Sequence, residues 1–392
     1  MTSSSFQFFL HSQVHIGAGT SSRLAEFVYG LGGKRVVLFT DKGLTRAGVT
    51  EKIKKILEQT AKPVELVGIF DEIEQDAKGE KINHATEFFR DRQANALIAL
   101  GGGSVLDTVK GVKWLLHLGK QEIHEVLKPA VKITPPKAKP VPVPHIAIPT
   151  TAGTGSEVSP VAVIFHEKYQ KKANLFHPYI AADIAILDPE LTVSLPPKMT
   201  AATGMDALTH AVEAFFSPTA HPYTDAFAIQ SMQMILKHLP VAVDKGNHLE
   251  AREQMLIASS LAIIAFCYSL TAIPVHNLSH ALGARFGIPH GLANAVLLPA
   301  VMEALPSFYQ PRIESFSKII GVPPTLDAVT GFLREFRKDV GLPDTFADWH
   351  FTPELGQELV SLVKQDPAGI YPIPDEIILR IVREVFDQPI NA

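Results

Sequence analysis

Short runs of apolar residues alternate with helical patterns through the first half of the chain. Continuous apolar runs are typical of strands that are buried on both faces of a sheet. The segment between the first two runs, VTEKIKKILEQT, has the period of an amphipathic helix. The alternation predicts a mostly parallel sheet that is covered by helices on both faces. The apolar runs are RVVLFTD (35–41), ANALIALGGGS (94–104), PHIAIPTTAGTG (144–155) and ADIAILDP, the core of a fourth strand that ends near residue 189.

The pattern changes near residue 195, where the strand signals end. Long helical patterns follow, among them PPKMTAATGMDALTHAVEAFF, TDAFAIQSMQMILKHL and EAREQMLIASSLAIIAF. Proline is favoured in the first turn of a helix, so the pair at positions 196 and 197 suits a helix start. We therefore expect two domains, an α/β domain over residues 1–195 and an all-helical domain over residues 196–392.

Residues 256–275, LIASSLAIIAFCYSLTAIPV, contain no charged side chain and are long enough to span a bilayer. Serine, threonine and proline dilute their hydrophobicity, and the segment continues into a histidine cluster instead of a basic anchor. A buried central helix is the favoured interpretation.

A second unusual segment is KPAVKITPPKAKPVPVPH, residues 128–145, which contains six prolines. This composition predicts an extended excursion on the surface.

Composition excludes several classes of protein. Hydrophobic residues make up 46% of the 392 residues and charged residues 19%, against a usual charged share of about 25%, which indicates much buried surface. The net charge of −4 is small, and no long basic run suggests a nucleic-acid or membrane partner. Cys267 is the only cysteine, and the N-terminal residues lack a signal-peptide pattern. We expect a cytoplasmic protein.

The stretch LIALGGGSVLDTVK joins a strand end to a helix start. Gly101, Gly102 and Gly103 would let the backbone approach a ligand and adopt positive φ, and the helix that begins near Ser104 offers free N–H groups. Together they predict an anion site suited to a pyrophosphate. The stretch is neither a G-x-G-x-x-G fingerprint nor a P-loop, so a tight turn without a ligand is the alternative.

Asp41 ends the first apolar run, and PTTAGTGSE forms a second glycine-bearing loop at a strand end. An acid at the carboxyl end of a strand can bind the ribose hydroxyls of NAD and repel the additional phosphate of NADP. Asp41 precedes the glycine loop instead of following it, which breaks the usual order. A role as a helix cap or turn residue is the alternative.

Acidic and imidazole side chains are placed one helical turn apart in an apolar pattern. Asp206 and His210 are four residues apart and would point in the same direction, and Glu213 follows three residues later on that face. His276 and His280 have the same spacing.

His290 follows the second pair at a bend, IPHG, that could return it toward the first pair. Burying so many titratable groups without compensation is costly, and a divalent cation would remove that cost. One carboxylate and three imidazoles suit Fe(II), Zn(II) or Mn(II). A hydrogen-bonded core histidine and a solvated Asp–His pair are the alternatives for each group taken alone.

Four motifs together resemble the iron-containing, or group III, alcohol dehydrogenase family. They are GGGSVLDTVK, PTTAGTGSEVS, KMTAATGMDALTHAVEAF and HNLSHALGARFGIPHGLANAVLLP, and the similarity extends over nearly the whole chain. The resemblance implies an N-terminal Rossmann-like dinucleotide-binding domain and a C-terminal helical metal-binding domain, an arrangement like that of dehydroquinate synthase.

The resemblance also implies a metal site. The family's ligands correspond to Asp206, His210, His276 and His290. His280 corresponds to a histidine near the nicotinamide that is not a ligand. It is our candidate for relaying the hydroxyl proton, and a role in orienting a ligand or the cofactor is the alternative.

On the cofactor side, the resemblance adds residues from three segments to Asp41 and the glycine loop. Lys172 matches a lysine that contacts the cofactor, and Thr150 and Thr151 match threonines that border it. Asp107, in the glycine-loop motif, is predicted to belong to the same site.

The implied reaction is NAD(P)-dependent oxidation of an alcohol or reduction of an aldehyde. Hydride would pass between a primary alcohol or diol and nicotinamide, with NAD expected over NADP because of Asp41. The metal is expected to be Fe²⁺, with Zn²⁺ or Mn²⁺ as alternatives, and the protein to be a homo-oligomer, a dimer or higher. The alternatives are a dehydroquinate-synthase-like cyclase, a glycerol-dehydrogenase-like polyol oxidoreductase, a metal-free maleylacetate reductase and a catalytically silent homologue.

Overall fold

The computed structural model of the chain describes residues 6–128, 130–134, 136–269, 271–366, 369 and 371–387. Its contacts divide the chain into two compact units. The first comprises Met1–Leu195 with Asn247–Ser260, and the second comprises Pro196–Gly246 with Leu261–Ala392.

The first unit is built on a six-stranded sheet in the order β1-β9-β6-β4-β2-β3, in which every pair is parallel. The predicted parallel α/β architecture is confirmed. The four predicted strands are present but shorter than expected, because the polar residues after each apolar run leave the sheet. The strands are β1 (Gln13–Ile16), β2 (Arg35–Phe39), β3 (Glu65–Phe70), β4 (Ala96–Gly101), β6 (His145–Pro149) and β9 (Ile184–Leu187).

Alternate residues of the central strands enter two separate cores, one on each face of the sheet. On β2, Val37 and Phe39 belong to one cluster of buried residues, and Val36 and Leu38 belong to the other. Because side chains alternate across a strand, a strand covered on both faces is apolar at every position. This is the physical origin of the unbroken apolar runs.

Helices cover this sheet. The predicted helix after β2 is present as Val49–Glu58, and a helix starts directly after the glycine-rich end of β4. The helices of the first 195 residues are α1 (Leu24–Gly30), α2 (Lys42–Arg46), α3 (Val49–Glu58), α4 (Gly79–Asp91), α5 (Gly103–Leu118) and α6 (Ile123–Val126).

The first unit also contains a three-stranded sheet, with β5 (Ala130–Lys132) parallel to β8 (Lys171–Phe176) and β8 antiparallel to β7 (Val161–His166). The proline-rich segment was expected to be a surface excursion, which is wrong for part of it. It supplies β5, and its residues Ala138 and Val141 are buried. Pairing with β8 satisfies backbone groups that a free extended segment would leave to water.

Every regular element described in the second unit is a helix, as predicted. The bounds are α7 (Pro197–Phe216), α8 (Pro222–Asp244), α9 (Leu249–Cys267, of which residues 261–267 belong to this unit), α10 (Pro274–Phe286), α11 (His290–Ala304), α12 (Pro306–Tyr309), α13 (Ile313–Ile320), α14 (Leu326–Asp339), α15 (Pro353–Gln365) and α16 (Asp375–Val385).

The uncharged segment 256–275 is not one continuous helix, because α9 ends at Cys267 and α10 begins at Pro274. In the part of the chain that the structure describes, no single helix is long and apolar enough to cross a membrane. One pair, His290–Ala304 with Pro306–Ile320, passes that test only when joined across a bend of 91°.

Helices α7 and α11 approach each other closely at Gly291. A Cβ at this position would lie 2.8 Å from the backbone carbonyl carbon of Ala202 on α7. Only glycine permits this separation, and the contact sets the distance between the α7 and α11 residues that carry the candidate site.

Candidate metal centre and cofactor site

Three predicted metal-site residues from three helices come together in the second unit. Oδ1 of Asp206 on α7 lies 3.7 Å from Nε2 of His276 on α10 and 3.6 Å from Nε2 of His290 at the start of α11. One candidate ligand atom from each residue lies within 4.8 Å of the other two. Asp206 and His276 are buried, whereas the His290 side chain keeps 28% of its surface exposed, so the cluster is open on one side.

The donor set fits a divalent cation. Imidazole nitrogen and carboxylate oxygen are the ligands that Fe²⁺, Zn²⁺ and Mn²⁺ accept in proteins. Burial opposes the charge on Asp206, but the surrounding imidazoles, His210 first among them, hold its pKa well below the usual range. The carboxylate is therefore ionised at neutral pH and available as a ligand.

His210 lies beside this cluster and is buried. Its ring stacks on the ring of His276 with centroids 4.5 Å apart, and it meets Phe266 edge-on at 4.8 Å. It is not among the three residues whose ligand atoms all lie within 4.8 Å of one another. Its role as a fourth ligand stays a prediction.

Glu213 orients His276. Its carboxylate accepts a hydrogen bond from Nδ1 of His276 and a second from the backbone N–H of Val275, at 2.7 Å. With Nδ1 committed to Glu213, Nε2 is the nitrogen that faces Asp206. Burial opposes the imidazolium, but Glu213 and Asp206 raise the pKa of His276 to about 9. A cation that binds here must therefore displace a proton from His276 at neutral pH.

Asn294, one helical turn after His290, is fully buried in the same cluster. Its amide nitrogen lies 2.7 Å from Oδ1 of Asp206, 3.1 Å from Nε2 of His276 and 3.3 Å from Nε2 of His290. The one nitrogen thus contacts all three atoms that would face a metal ion.

His280 is not among the three converging residues and pairs with another carboxylate. Its Nδ1 lies 2.7 Å from a carboxylate oxygen of Asp366, and its ring stacks on that of His290 with centroids 5.4 Å apart. Nδ1 of His290 in turn lies 3.0 Å from the hydroxyl of Ser279. His280 is thus adjacent to a candidate ligand, but it is not one of the three residues whose ligand atoms converge.

In the first unit, the glycine loop packs against the second predicted loop. The N–H of Thr150 donates to the carbonyl of Gly101 at 3.1 Å. A Cβ on Gly102 would lie 3.2 Å from the hydroxyl of Thr151, and one on Gly103 would lie 2.6 Å from a methyl carbon of Thr154. The structure therefore brings two of the predicted cofactor segments together.

The expectation of positive φ at these glycines is wrong. The described glycines with positive φ do not include any of the three. Glycine is favoured at 102 and 103 because the two loops approach each other closely, and at 101 because a Cβ would lie 2.5 Å from a methyl carbon of Val105 on α5. The helix also begins one residue earlier than expected, at Gly103, so its free N–H groups start within the glycine run itself.

Asp76 connects Ser104 with Lys172. Its backbone N–H donates to the hydroxyl of Ser104 at 3.1 Å, and its carboxylate lies 3.3 Å from the ammonium group of Lys172. These two predicted cofactor residues therefore lie close to one another, although 68 positions separate them in the sequence. Their cofactor contacts stay a prediction.

Asp41 and Asp107 both have partners within the protein. Asp41 is the N-cap of α2 and accepts from the N–H of Leu44 at 3.0 Å. Asp107 accepts from the hydroxyl of Ser156 at 2.5 Å and from the N–H of Val163 at 3.0 Å. Asp41 therefore has the helix-cap role that is the alternative to ribose binding. Asp107 connects the second loop, through Ser156, with β7, through Val163. Ribose binding by Asp41 and cofactor contact by Asp107 stay predictions.

The comparison with known proteins agrees with this architecture. Residues 11–189 match the family described as iron-containing alcohol dehydrogenase, and residues 200–386 match its C-terminal domain. The chain is 36% identical over 380 residues to long-chain-alcohol dehydrogenase 1 of Geobacillus thermodenitrificans, covering 95% of this chain and 94% of that protein. It is 35% identical over 350 residues to the 1,3-propanediol dehydrogenase of Klebsiella pneumoniae, covering 88% of each.

Solved structures give the same result. A 1,3-propanediol oxidoreductase superposes with a TM-score of 0.88 at 31% identity, covering 98% of this chain and all of the other. The sulfoacetaldehyde reductase of Bifidobacterium kashiwanohense, solved with NAD+, superposes with a TM-score of 0.86 at 27% identity, covering 98% and 100%.

The parallel sheet of the first unit and the carboxylate–imidazole cluster of the helical second unit agree with the class of these relatives, metal-dependent dehydrogenases. The chain belongs to the iron-containing alcohol dehydrogenase family. It is therefore an oxidoreductase of the NAD(P)-dependent alcohol dehydrogenase type, as predicted. The comparisons do not favour the cyclase alternative.

Sequence reasoning missed Asn294 and Asp366. The position of Asn294, four residues after His290, indicates the same helix face as a candidate ligand, but its amide side chain is not one of the imidazole or carboxylate groups by which the site was predicted. Asp366 carried none, since nothing in the sequence links a position 86 residues away to His280.

Proposed function

We propose that the protein oxidises a small primary alcohol or diol with NAD, and reduces the corresponding aldehyde, with a divalent cation held by Asp206, His210, His276 and His290. The observation that carries the proposal is the convergence of one carboxylate oxygen and two imidazole nitrogens from three helices. Fe²⁺ is the proposed ion, with Zn²⁺ and Mn²⁺ as alternatives. The domains proposed for these roles are residues 1–195 for the dinucleotide and residues 196–392 for the metal.

A divalent cation at this position would lower the proton affinity of an alcohol oxygen, so that hydride can leave the carbinol carbon near neutral pH. The chain's own residues prepare the site for this. Glu213 keeps His276 in one tautomer and orientation. His280, paired with Asp366, is proposed to relay the hydroxyl proton or, alternatively, to orient a neighbouring group.

The dinucleotide is proposed to bind along the glycine loop and its neighbours. The N-terminus of α5, which begins at Gly103, offers unpaired N–H groups and a partial positive charge to a pyrophosphate. Thr150, Thr151, Ser104 and Lys172 are proposed to line the same site, because the first two pack on the loop and the last two are joined by Asp76.

Relatives differ in the coenzyme and substrate that their names carry. One is an NADPH-dependent butanol dehydrogenase and another is an NAD-dependent methanol dehydrogenase. For this chain we propose NAD, because Asp41 would place a carboxylate near the 2′ position of the ribose. A homo-oligomeric state and a cytoplasmic location stay predictions, the latter supported by the presence of only one cysteine in the sequence.

Metal reconstitution tests the proposal. The purified protein is stripped of metal, loaded with Fe²⁺, Zn²⁺ or Mn²⁺ in turn, and assayed for reduced-cofactor absorbance with primary alcohols, diols and hydroxyaldehydes. We expect one ion per chain and activity that depends on it. His210→Ala is expected to lose both the metal and turnover and to keep NAD binding. Full activity in a variant that holds no metal would contradict the proposal.

A matched variant separates the role of His280 from that of the ligands. His280→Ala should keep one ion per chain and slow turnover. An unchanged rate with an unchanged pH profile would remove the proton relay and leave the metal site intact.

A further inference from the structure

Asn294 occupies the position at which the three candidate ligand atoms converge. Its amide nitrogen is within hydrogen-bond distance of Oδ1 of Asp206 and of Nε2 of both His276 and His290. The amide oxygen, at the other end of the same group, is buried and has no hydrogen-bond partner among the described residues. The amide nitrogen therefore has three candidate partners, whereas the amide oxygen has no hydrogen-bond donor among the described residues.

The nitrogen carries two protons and lies against one carboxylate oxygen and two imidazole nitrogens. Without a cation, a neutral amide N–H₂ suits this position, since it donates to the carboxylate oxygen and adds no charge to the cluster. The same three atoms are the ones that a divalent cation would bind once any proton on them is displaced. A cation held there would meet the positive ends of the two N–H dipoles, which is unfavourable.

Rotating the terminal amide by half a turn removes the conflict with the cation. The rotation exchanges nitrogen and oxygen within the same volume, so the surrounding core does not have to move. It turns the oxygen, which has no hydrogen-bond partner among the described residues, toward the cation and places the N–H₂ group where the oxygen was. An amide oxygen is a ligand that Fe²⁺, Mn²⁺ and other oxygen-accepting cations tolerate.

We propose, on the basis of the proposed metal site, that Asn294 belongs to the metal centre and that its side-chain amide has two orientations. Its amide nitrogen bridges the three ligands when no cation is bound, and its amide oxygen faces the cation, as an additional oxygen donor, when one is bound.

Two substitutions of similar size separate this role from a simple hydrogen-bond donor. Asn294→Asp keeps an oxygen in either orientation and loses the N–H donor. Asn294→Leu loses both. Affinity for Zn²⁺ and Co²⁺ is measured on the full-length protein by competition with a chromophoric chelator, with folding checked by circular dichroism. We expect Asn294→Asp to bind within a fewfold of wild type or more tightly, and Asn294→Leu to bind about tenfold or more weakly.

The absorption spectrum of bound Co²⁺ gives a readout that does not depend on activity or stability. The visible bands of Co²⁺ strengthen when a coordination position is lost. We expect wild type and Asn294→Asp to give weak bands of similar intensity, and Asn294→Leu to give stronger ones.

Asn277→Leu is the control. Asn277 is also buried in this unit, next to a candidate ligand, but its amide donates to the carbonyl of Val363 instead of facing the cluster. Its replacement is expected to leave the Co²⁺ bands and the metal affinity as in wild type.

The outcomes separate this inference from the proposed function. Equal losses in Asn294→Asp and Asn294→Leu would show that only the N–H donor matters, and wild-type affinity in Asn294→Leu would show that the residue takes no part. Either result overturns the role of Asn294 while a metal-binding wild type upholds the proposed function. A wild-type protein that binds no metal would overturn both.

Discussion

The carboxylate of Glu213 on α7 bonds both to Nδ1 of His276 and to the backbone at the start of α10. Val275 and His276 are in the first turn of α10, where N–H groups lack partners within the helix. A carboxylate at a helix N-terminus is also favoured by the helix dipole. Glu213 therefore serves at once as a cap for α10, contributed by another helix, and as the group that sets the orientation of His276.

Glu213→Gln tests this double role. The amide keeps the shape of the side chain but removes the charge and can donate a competing hydrogen bond to Nδ1. We expect the protein to fold and its metal affinity to fall by about ten- to a hundredfold, the range for losing a group that orients a metal-binding histidine. Chelator competition on the full-length protein measures this.

The control is Glu303→Gln, on the helix that carries His290. Glu303 is on the surface, where it pairs with Arg334. Metal affinity is expected to be unchanged there. If the two variants behave alike, Glu213 does not act through His276.

Gly291→Ala tests the close contact of α7 and α11. The added methyl would meet the backbone of Ala202, which cannot rotate away as a side chain could. Overpacking of this kind costs about 1–3 kcal/mol, and it would also move His290 relative to Asp206. We expect a lower melting temperature together with weaker metal binding.

Gly331→Ala on α14 is the matched substitution. A Cβ there meets no atom within 4 Å, and alanine is favoured over glycine in a helix by up to about 1 kcal/mol. We expect a slightly higher melting temperature and unchanged metal binding. Equal behaviour of the two alanine variants would mean that α7 and α11 adapt without cost.

Asp41→Ser tests coenzyme selection without disturbing the fold. Serine can replace aspartate as the N-cap of α2, so the hydrogen bond from Leu44 is retained while the negative charge is removed. We expect the ratio of kcat/KM for NADP to that for NAD to rise severalfold at an unchanged melting temperature. An unchanged ratio would leave Asp41 with the capping role alone.

Lys113 gives a pH dependence of stability. Its ammonium group is fully buried, donates to the carbonyl of Ala181, and lies 3.7 Å from Asp183. Burial of the ammonium group outweighs the attraction of Asp183 and lowers the pKa of Lys113 from 10.5 to about 8. Between these two values the unfolded chain holds a proton that the folded protein has released, so stability rises with pH across that window.

The gain should approach about 3 kcal/mol, because each pKa unit corresponds to about 1.4 kcal/mol. Urea denaturation of wild type and Lys113→Met at several pH values between 7.5 and 10 measures it. Relative to the variant, the wild type should gain stability as the pH rises. A constant difference would show that Lys113 keeps its ordinary pKa in the fold.

Local patterns in the sequence determined the main elements of both units. The buried strands were predicted because a strand covered on both faces is apolar at every position, as at Val36 and Val37 of β2. β3 was not predicted, since most of its residues are only partly buried. The hairpin of β7 and β8 was missed too, because the sequence of β8, KKANLF, mixes polar and apolar residues.

The helical spacing of Asp206 with His210, and of His276 with His280, was also a property of the sequence alone, since residues four apart share a helix face. Only the tertiary structure decided which groups converge. His276 faces Asp206 because Glu213 holds its other nitrogen, whereas His280, one turn along the same helix, pairs with Asp366. Such choices depend on atoms that packing brings together from distant segments, and no local pattern encodes those distances.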